Sequence, residues 1–321
     1  MRSIETCCCI CSIEYSRGYG TYVTKRDGES MIILNDSNIE LRLKRIFRQE
    51  LEEIGYEVPE DISYHDLVYE YFVMHKRLIP TKKRKVCYSR DFTCPEKLRT
   101  ALKTLVNEIE AGQNINPYLS RTMKDVEYKD KLLFDWNVYH LHLGETKDKD
   151  GYIRRTGALL FAMFDDEKAY FINVYDQKDH WTDKDILNSL NETWPKIMNR
   201  HKINAEPECD FSSEELKHLR DANVNTIVKL RDGSSVYAPG LGLMTTGHSM
   251  AVMTQVTNLA HDIIGLRRYI LQWVMQHPEL NGYEEIGVRR HGDDIVFVLT
   301  GHRQVVGQIT IPPLAKVVGE K

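Results

Sequence analysis

The chain has 321 residues, with 43 Lys and Arg against 47 Asp and Glu and a formal net charge of −4. Hydrophobic residues make up 42% and charged residues 28%, a composition that excludes disordered, collagen-like and fibrous chains. No run reaches the roughly 18 apolar residues needed to span a bilayer, and the near-neutral balance argues against coating duplex nucleic acid by bulk charge.

Strand signals come first, at 7–15, 19–25 and 30–34, with an Asp27-Gly28 turn before the third. The first carries Cys7, Cys8, Cys9 and Cys11. Seven cysteines in all, odd in number and widely spaced, fit a reduced cytosolic chain and not a disulfide scaffold. Alternate residues Cys7, Cys9 and Cys11 share one face of a strand, so a small-residue core face is expected there. Adjacent thiolates are badly placed for zinc or an iron–sulfur cluster, and no metal or other cofactor is expected. Arg2 and Glu5 with no apolar stretch behind them do not read as a secretory leader, which points to the cytoplasm.

Ser37, with Glu40 three residues on, caps a helix over 37–54 whose Ile39, Leu43, Phe47 and Leu51 keep helical spacing, and Gly55 ends it. A second helix is predicted over 63–78. It enters a basic stretch, Lys76, Arg77, Lys82, Lys83, Arg84, Lys85 and Arg90, with no acid before Asp91. This reads as a solvated loop, as a phosphate-contacting patch or, over 80–86, as a nuclear-import string. A third helix spans 95–111, closed by Gly112, and 112–130 is a polar connection or a short helix.

Three strands follow, at 137–143, 157–164 and 168–175. The middle one is nearly all apolar, as a strand buried on both faces at the centre of an antiparallel sheet would be. Thr182 caps a helix that stops before Trp194-Pro195, and 207–210 reads as a linker. Beyond it come a helix at 213–222, a hairpin at 226–238 around Asp232-Gly233, a long helix at 249–277, and strands at 284–290, 295–300 and 305–311. The glycine-rich 240–247 ahead of the long helix lacks the Lys of a P-loop and reads as a loop or a weak anion site. The expected fold is α+β in three parts: an N-terminal α/β region over 1–94, a central antiparallel sheet with helices over 95–205, and a C-terminal α+β module over 206–321.

Chemistry concentrates in 135–195. The two-residue strand period points Tyr139, Leu141 and Leu143 one way, toward a core, and Val138, His140 and His142 the other. Arg154 and Arg155 precede the next strand, and His180 follows the third. Three readings stand. The histidines are surface or hydrogen-bonding strand residues. They are metal ligands with His180 and Asp179 or Asp135, which the arginines would oppose. Or they cleave phosphodiesters without a metal: RNA carries its own 2′-OH nucleophile, so an enzyme supplies a base, an acid and a cation. Imidazole serves as either base or acid, and Arg grips phosphate oxygens in bidentate fashion.

The arginines ahead of the Leu159-Leu160-Phe161 strand, and a following strand that ends at Asp179-His180-Trp181, resemble the core of small RelE-like toxins in the barnase/RelE-like endoribonuclease group. The stretch closed by Trp194-Pro195 is also similar to uncharacterised proteins of bacterial mobile elements and phage-defence loci. Family members are typically short and basic, and paired histidines are not their common arrangement. The resemblance implies a cytoplasmic, metal-independent endoribonuclease of toxin or phage-defence type, with RNA and a protein partner or antitoxin, and no membrane. The expected roles are His140 and His142 as base and acid, Arg154 as phosphate clamp and His180 as a further acid or substrate contact. Lys82, Lys83, Arg84, Lys85 and Arg155 are expected on the RNA backbone. The rival from another class is a non-enzymatic sensor or protein-interaction module of a bacterial defence system.

Overall fold

The computed structural model describes residues 11–15, 21–26, 30–35, 38–125, 128–176, 183–205, 209–277 and 282–317. Cys7, Cys8, Cys9, the Asp27-Gly28 turn, the cap at Ser37, Asp179, His180, Trp181, Thr182 and Pro207 lie outside these residues. The fold is α+β. In chain order its elements are β1 (Cys11–Tyr15), β2 (Thr21–Arg26), β3 (Ser30–Asn35), α1 (Ile39–Glu53), α2 (Tyr64–Arg77), β4 (Lys85–Tyr88), α3 (Arg99–Ala111), α4 (Lys131–Trp136) and β5 (Tyr139–His142). There follow β6 (Ala158–Phe164), β7 (Lys168–Asp176), α5 (Lys184–Thr193), α6 (Pro195–Met198), β8 (Lys202–Ile203), α7 (Ser213–Asp221), β9 (Val228–Lys229) and β10 (Ser235–Val236). The long helix α8 (Met250–Gln276) and strands β11 (Gly282–His291), β12 (Asp294–Leu299) and β13 (Gln304–Thr310) complete the chain. No helix among the described residues is long and apolar enough to cross a membrane.

The chain divides into two compact units, one of Met1–Glu53, Glu57–Tyr71 and Gln255–Pro313, the other of Ile54–Tyr56, Phe72–Thr254 and Leu314–Lys321. This division does not follow three consecutive parts with bounds near 94 and 205. The reason is a pairing between chain-distant strands: β11 lies parallel to β3 and joins the C-terminal hairpins to the N-terminal ones in one sheet, β1-β2-β3-β11-β12-β13. In that first unit α1 packs against β11 and buries Ile39, Leu43, Phe47 and Leu51, while Phe47 stacks on Tyr71 with ring centroids 4.2 Å apart. Arg290 donates to Glu50 at 2.6 Å, and the Tyr71 hydroxyl donates to the same carboxylate at 2.7 Å.

The second unit is built on a four-stranded sheet in the order β4-β7-β6-β5. Strand β6 lies between β5 and β7 and is antiparallel to both, the central place its apolar run predicts. One face of the sheet, with Leu159, Phe161 and Met163 of β6 and Tyr170 and Ile172 of β7, forms a core with Ile186, Leu187 and Leu190 of α5 and Val228 and Val236 of the small β8-β10-β9 sheet. Each such side chain contributes roughly 1.5–3 kcal/mol through burial. Asp183 caps α5, its carboxylate accepting from the Asp185 amide, and Ser212 with Glu215 forms a capping box on α7.

Besides the short α6 and β8, which the sequence did not announce, two elements near the central sheet differ from the sequence expectation. The basic stretch contains a strand, β4, which runs parallel to β7; Val86 is its one buried residue, so no apolar alternation announces it. Residues 131–136 form a helix where 135–136 read as the approach to a strand. Asp130 caps it through the Leu133 amide at 3.0 Å, and Asn137 closes it in the left-handed conformation.

Candidate functional site

Strand β5 keeps the two-residue period, but its histidines lie on a core face and not, as the sequence suggested, on the face away from the core. His140 pairs with Phe161 and His142 with Leu159, so the two imidazoles share the face of those core residues, with Tyr139 and Leu141 on the other. That face is not open, however. His140 is 6% exposed and His142 4%, so the reading of surface histidines is corrected. The side chains of the connection between α3 and α4 reach them: Leu119 borders both, Met123 and Tyr128 border His140.

The two histidines then part company. His140 borders a small space of about 10 Å³ with Arg77, Tyr128 and Asp130, no larger than one water requires. Its Nδ1 lies 3.6 Å from the Asp130 carboxylate, which also caps α4. Arg77 is engaged by backbone carbonyls there, those of Met123 at 2.7 Å, Asp125 at 3.1 Å and Tyr128.

His142 instead lines a cleft of about 380 Å³ with Arg121, Asp148, Tyr152, Arg154 and Arg155. A loop builds this cleft. Its two sides are tied by an isolated bridge between Lys147 and Ile153 and by the Arg154 amide donating to Thr146 O at 2.9 Å. The Asp148 carboxylate accepts the amides of Asp150 at 3.0 Å and Tyr152 at 3.1 Å. Gly144, the second residue past β5, lets the loop return close to the strand end, because a Cβ there would run into the Arg154 carbonyl oxygen. The Ile153 amide donates to Pro117 O at 2.9 Å and fastens the loop to the segment that carries Arg121.

Charge in the cleft is unbalanced. Arg121 pairs with Asp148 and lies 3.7 Å from Asp150. Arg155 is exposed and donates to the Ser120 hydroxyl at 3.2 Å. The exposed Arg154 side chain has no partner among the described residues. Three guanidiniums against this acid pair leave a local excess of positive charge, which favours an anion. Burial, then Arg155 and His140, push the His142 imidazole down to about 4, so it is neutral at pH 7. Its Nδ1 is buried with no hydrogen-bond partner among the described residues, and so is the Tyr152 hydroxyl. Unpaired buried polar atoms are uncommon in native proteins and call for an explanation.

The remaining sequence candidates lie elsewhere. His180 is outside the described residues, as is Asp179. Asp135 is paired with Arg220, whose guanidinium stands 4.3 Å from the Trp136 ring centroid; burial raises the Asp135 carboxyl to about 6 against the pull of Arg220. That pairing takes Asp135 away from the histidines, and no group of three His, Cys, Asp or Glu side chains among the described residues is placed to hold a metal. Of the basic stretch, Lys83 and Lys85 are exposed, whereas Lys82 pairs with Asp166 at 2.6 Å. Arg84 is corrected: it is buried and donates to Asp165 O at 2.6 Å and Pro80 O at 2.8 Å, which removes it from any backbone-binding surface. The glycine-rich 240–247 is not an open amide cradle either, since the Gly240 and Gly242 amides donate to Asp135 O and Phe134 O at 2.7 and 2.9 Å.

Arg121, Asp148 and Tyr152 were not expected from the sequence. The Asp148-x-Asp-Gly151 turn was their one local signal, since it folds the chain back and brings Tyr152 and Arg154 beside the end of β5. Arg121 has no local signal at all. Comparison with known proteins returns no matching family model, no matching curated protein and no matching solved structure.

Proposed function

We propose that this chain is a metal-independent endoribonuclease that works in the cytoplasm and uses the cleft at the end of β5. The observation that carries the reading is a buried, neutral imidazole, His142, bordering a cleft with three guanidiniums. Arg154 and Arg155 hold the non-bridging oxygens of the scissile phosphate and stabilise the charge that gathers in the transition state. His142 takes the proton of the 2′-OH, whose oxygen then attacks phosphorus to give a 2′,3′-cyclic phosphate. His140 borders a smaller neighbouring space rather than the cleft itself, so the partner acid is sought among the side chains that line the cleft. The exposed Lys83 and Lys85 supply further phosphate contacts. A toxin or phage-defence role follows from the resemblance in element order to RelE-like toxins.

The test is incubation of the purified protein with RNA in EDTA. Cleavage to cyclic-phosphate ends, lost in His142→Ala with the circular dichroism unchanged, is the expected result. Activity that needs a divalent ion, or that survives His142→Ala, overturns it. One observation favours a second reading. His142 is the single imidazole bordering the cleft among the described residues, so a sensor that binds a phosphorylated ligand without turning it over fits the same arginines. Binding of RNA with no cleavage would select that reading.

A further inference from the structure

Tyr152 is the second side chain in the cleft with an unexplained polar atom. It is 6% exposed, and its hydroxyl is buried with no hydrogen-bond partner among the described residues. Leaving such a group unpaired costs about 1–3 kcal/mol. The backbone around it is fully engaged: the Tyr152 amide donates to Asp148 Oδ1 at 3.1 Å, and its carbonyl accepts from the Asp148 amide at 2.8 Å. The Arg121 guanidinium stands 5.5 Å from the ring centroid and is itself paired with Asp148. The residue is thus held by its backbone and by Arg121 over the ring, it lines the cleft, and its hydroxyl is the group left without a partner among the described residues.

Resting on the RNA-cleavage reading, we propose that Tyr152 is the general acid of this cleft, giving its hydroxyl proton to the leaving 5′-oxygen. The step balances. The 2′-oxygen–phosphorus bond forms as His142 takes the 2′-OH proton; the phosphorus–5′-oxygen bond breaks as that oxygen takes the Tyr152 proton. The products are a 2′,3′-cyclic phosphate and a 5′-OH, and transfer of the proton from the His142 imidazolium to the tyrosinate through water restores the site. Asp148 is unsuited to the donor role, because it is paired with Arg121 and accepts two amides, all of which favour the carboxylate. Burial raises the Tyr152 hydroxyl while Arg121 lowers it and Asp150 raises it. The net shift is upward, so the proton is present at neutral pH. A departing alkoxide is more basic than a phenolate and takes that proton as the bond breaks.

Two RNA substrates test this: an ordinary one, and one with sulfur in place of the bridging 5′-oxygen, whose thiolate departs without needing a proton. Tyr152→Phe should cleave ordinary RNA about 10²–10⁴-fold more slowly than the native chain, yet match it on the sulfur substrate, with an unfolding midpoint no lower than that of the native chain. His142→Ala should be slow on both. If Tyr152→Phe slows both substrates equally, or neither, the Tyr152 role is overturned while the cleavage reading stands. If the native chain cleaves neither substrate, the cleavage reading falls and this inference falls with it.

Discussion

His140 and His142 stand two residues apart on one face of β5, both buried, and their surroundings have opposite characters. Beside His140, Asp130 caps a helix and most of the Arg77 guanidinium is tied to three carbonyls. Beside His142 a cleft opens, the His142 Nδ1 and the Tyr152 hydroxyl have no hydrogen-bond partner among the described residues, and arginines outnumber the acids that pair with them. Polar atoms left unsatisfied at the wall of a cleft are the ones a ligand can reach and complete. Two histidines on one strand face thus meet different surroundings, and the difference lies in what the loops bring to each.

The sharpest way to break this comparison is to truncate each histidine in turn. His142→Ala should lose about 10²–10⁴ in RNA cleavage rate, while His140→Ala keeps the native rate per folded molecule. Equal losses in single-turnover assays would show that the two act as a pair. Stability should show the reverse order. His140→Ala opens a void where only about 10 Å³ was free, whereas His142→Ala opens onto the cleft, so the first should cost more, about 2–5 kcal/mol; urea midpoints decide it.

A smaller effect is expected from the arginines. Arg154→Ala should weaken RNA binding roughly tenfold to a hundredfold, the equivalent of one charge-assisted hydrogen bond of about 1.5–3 kcal/mol. The pH profile should not move, because Arg stays charged throughout. A shifted profile in Arg154→Ala would mean that it acts by tuning His142 and not by holding phosphate. The smallest effect is a pH slope. His142 is depressed from 6.5 to about 4 in the folded chain, so between those values the unfolded chain binds the extra proton. Stability is then full above 6.5 and falls as pH drops toward 4. His142→Ala should flatten that slope, and cleavage by the native chain should rise through about 4 and stay level to neutrality. An unchanged slope in the variant would remove the buried neutral imidazole from the account.

Local pattern carried far in this chain. The apolar run 157–164 was legible as a central strand because burial on both faces leaves no polar alternation, and the helix over 39–53 because its apolar residues recur at helical spacing. His142, Arg154 and Arg155 were legible as a cluster, since strand period and chain order place them near one another. Strand β4 was not legible: with one buried residue in four it has no pattern of its own, and its pairing with β7 is a choice made between distant segments. Nor was the burial of Arg84, which depends on carbonyls supplied by Pro80 and by the turn after β6.

The sequence by itself determined the periods of the strongly patterned helices and strands, and that His140 and His142 face the same way. Only the tertiary structure decided what meets that face. The connection between α3 and α4 covers it, Asp130 and Arg77 close around His140, and the loop after Gly144 carries Tyr152, Arg154 and Arg155 to His142. The physical reason is that side-chain direction follows from local backbone geometry, whereas burial, pairing and the pKa of an imidazole depend on neighbours brought in from elsewhere in the chain.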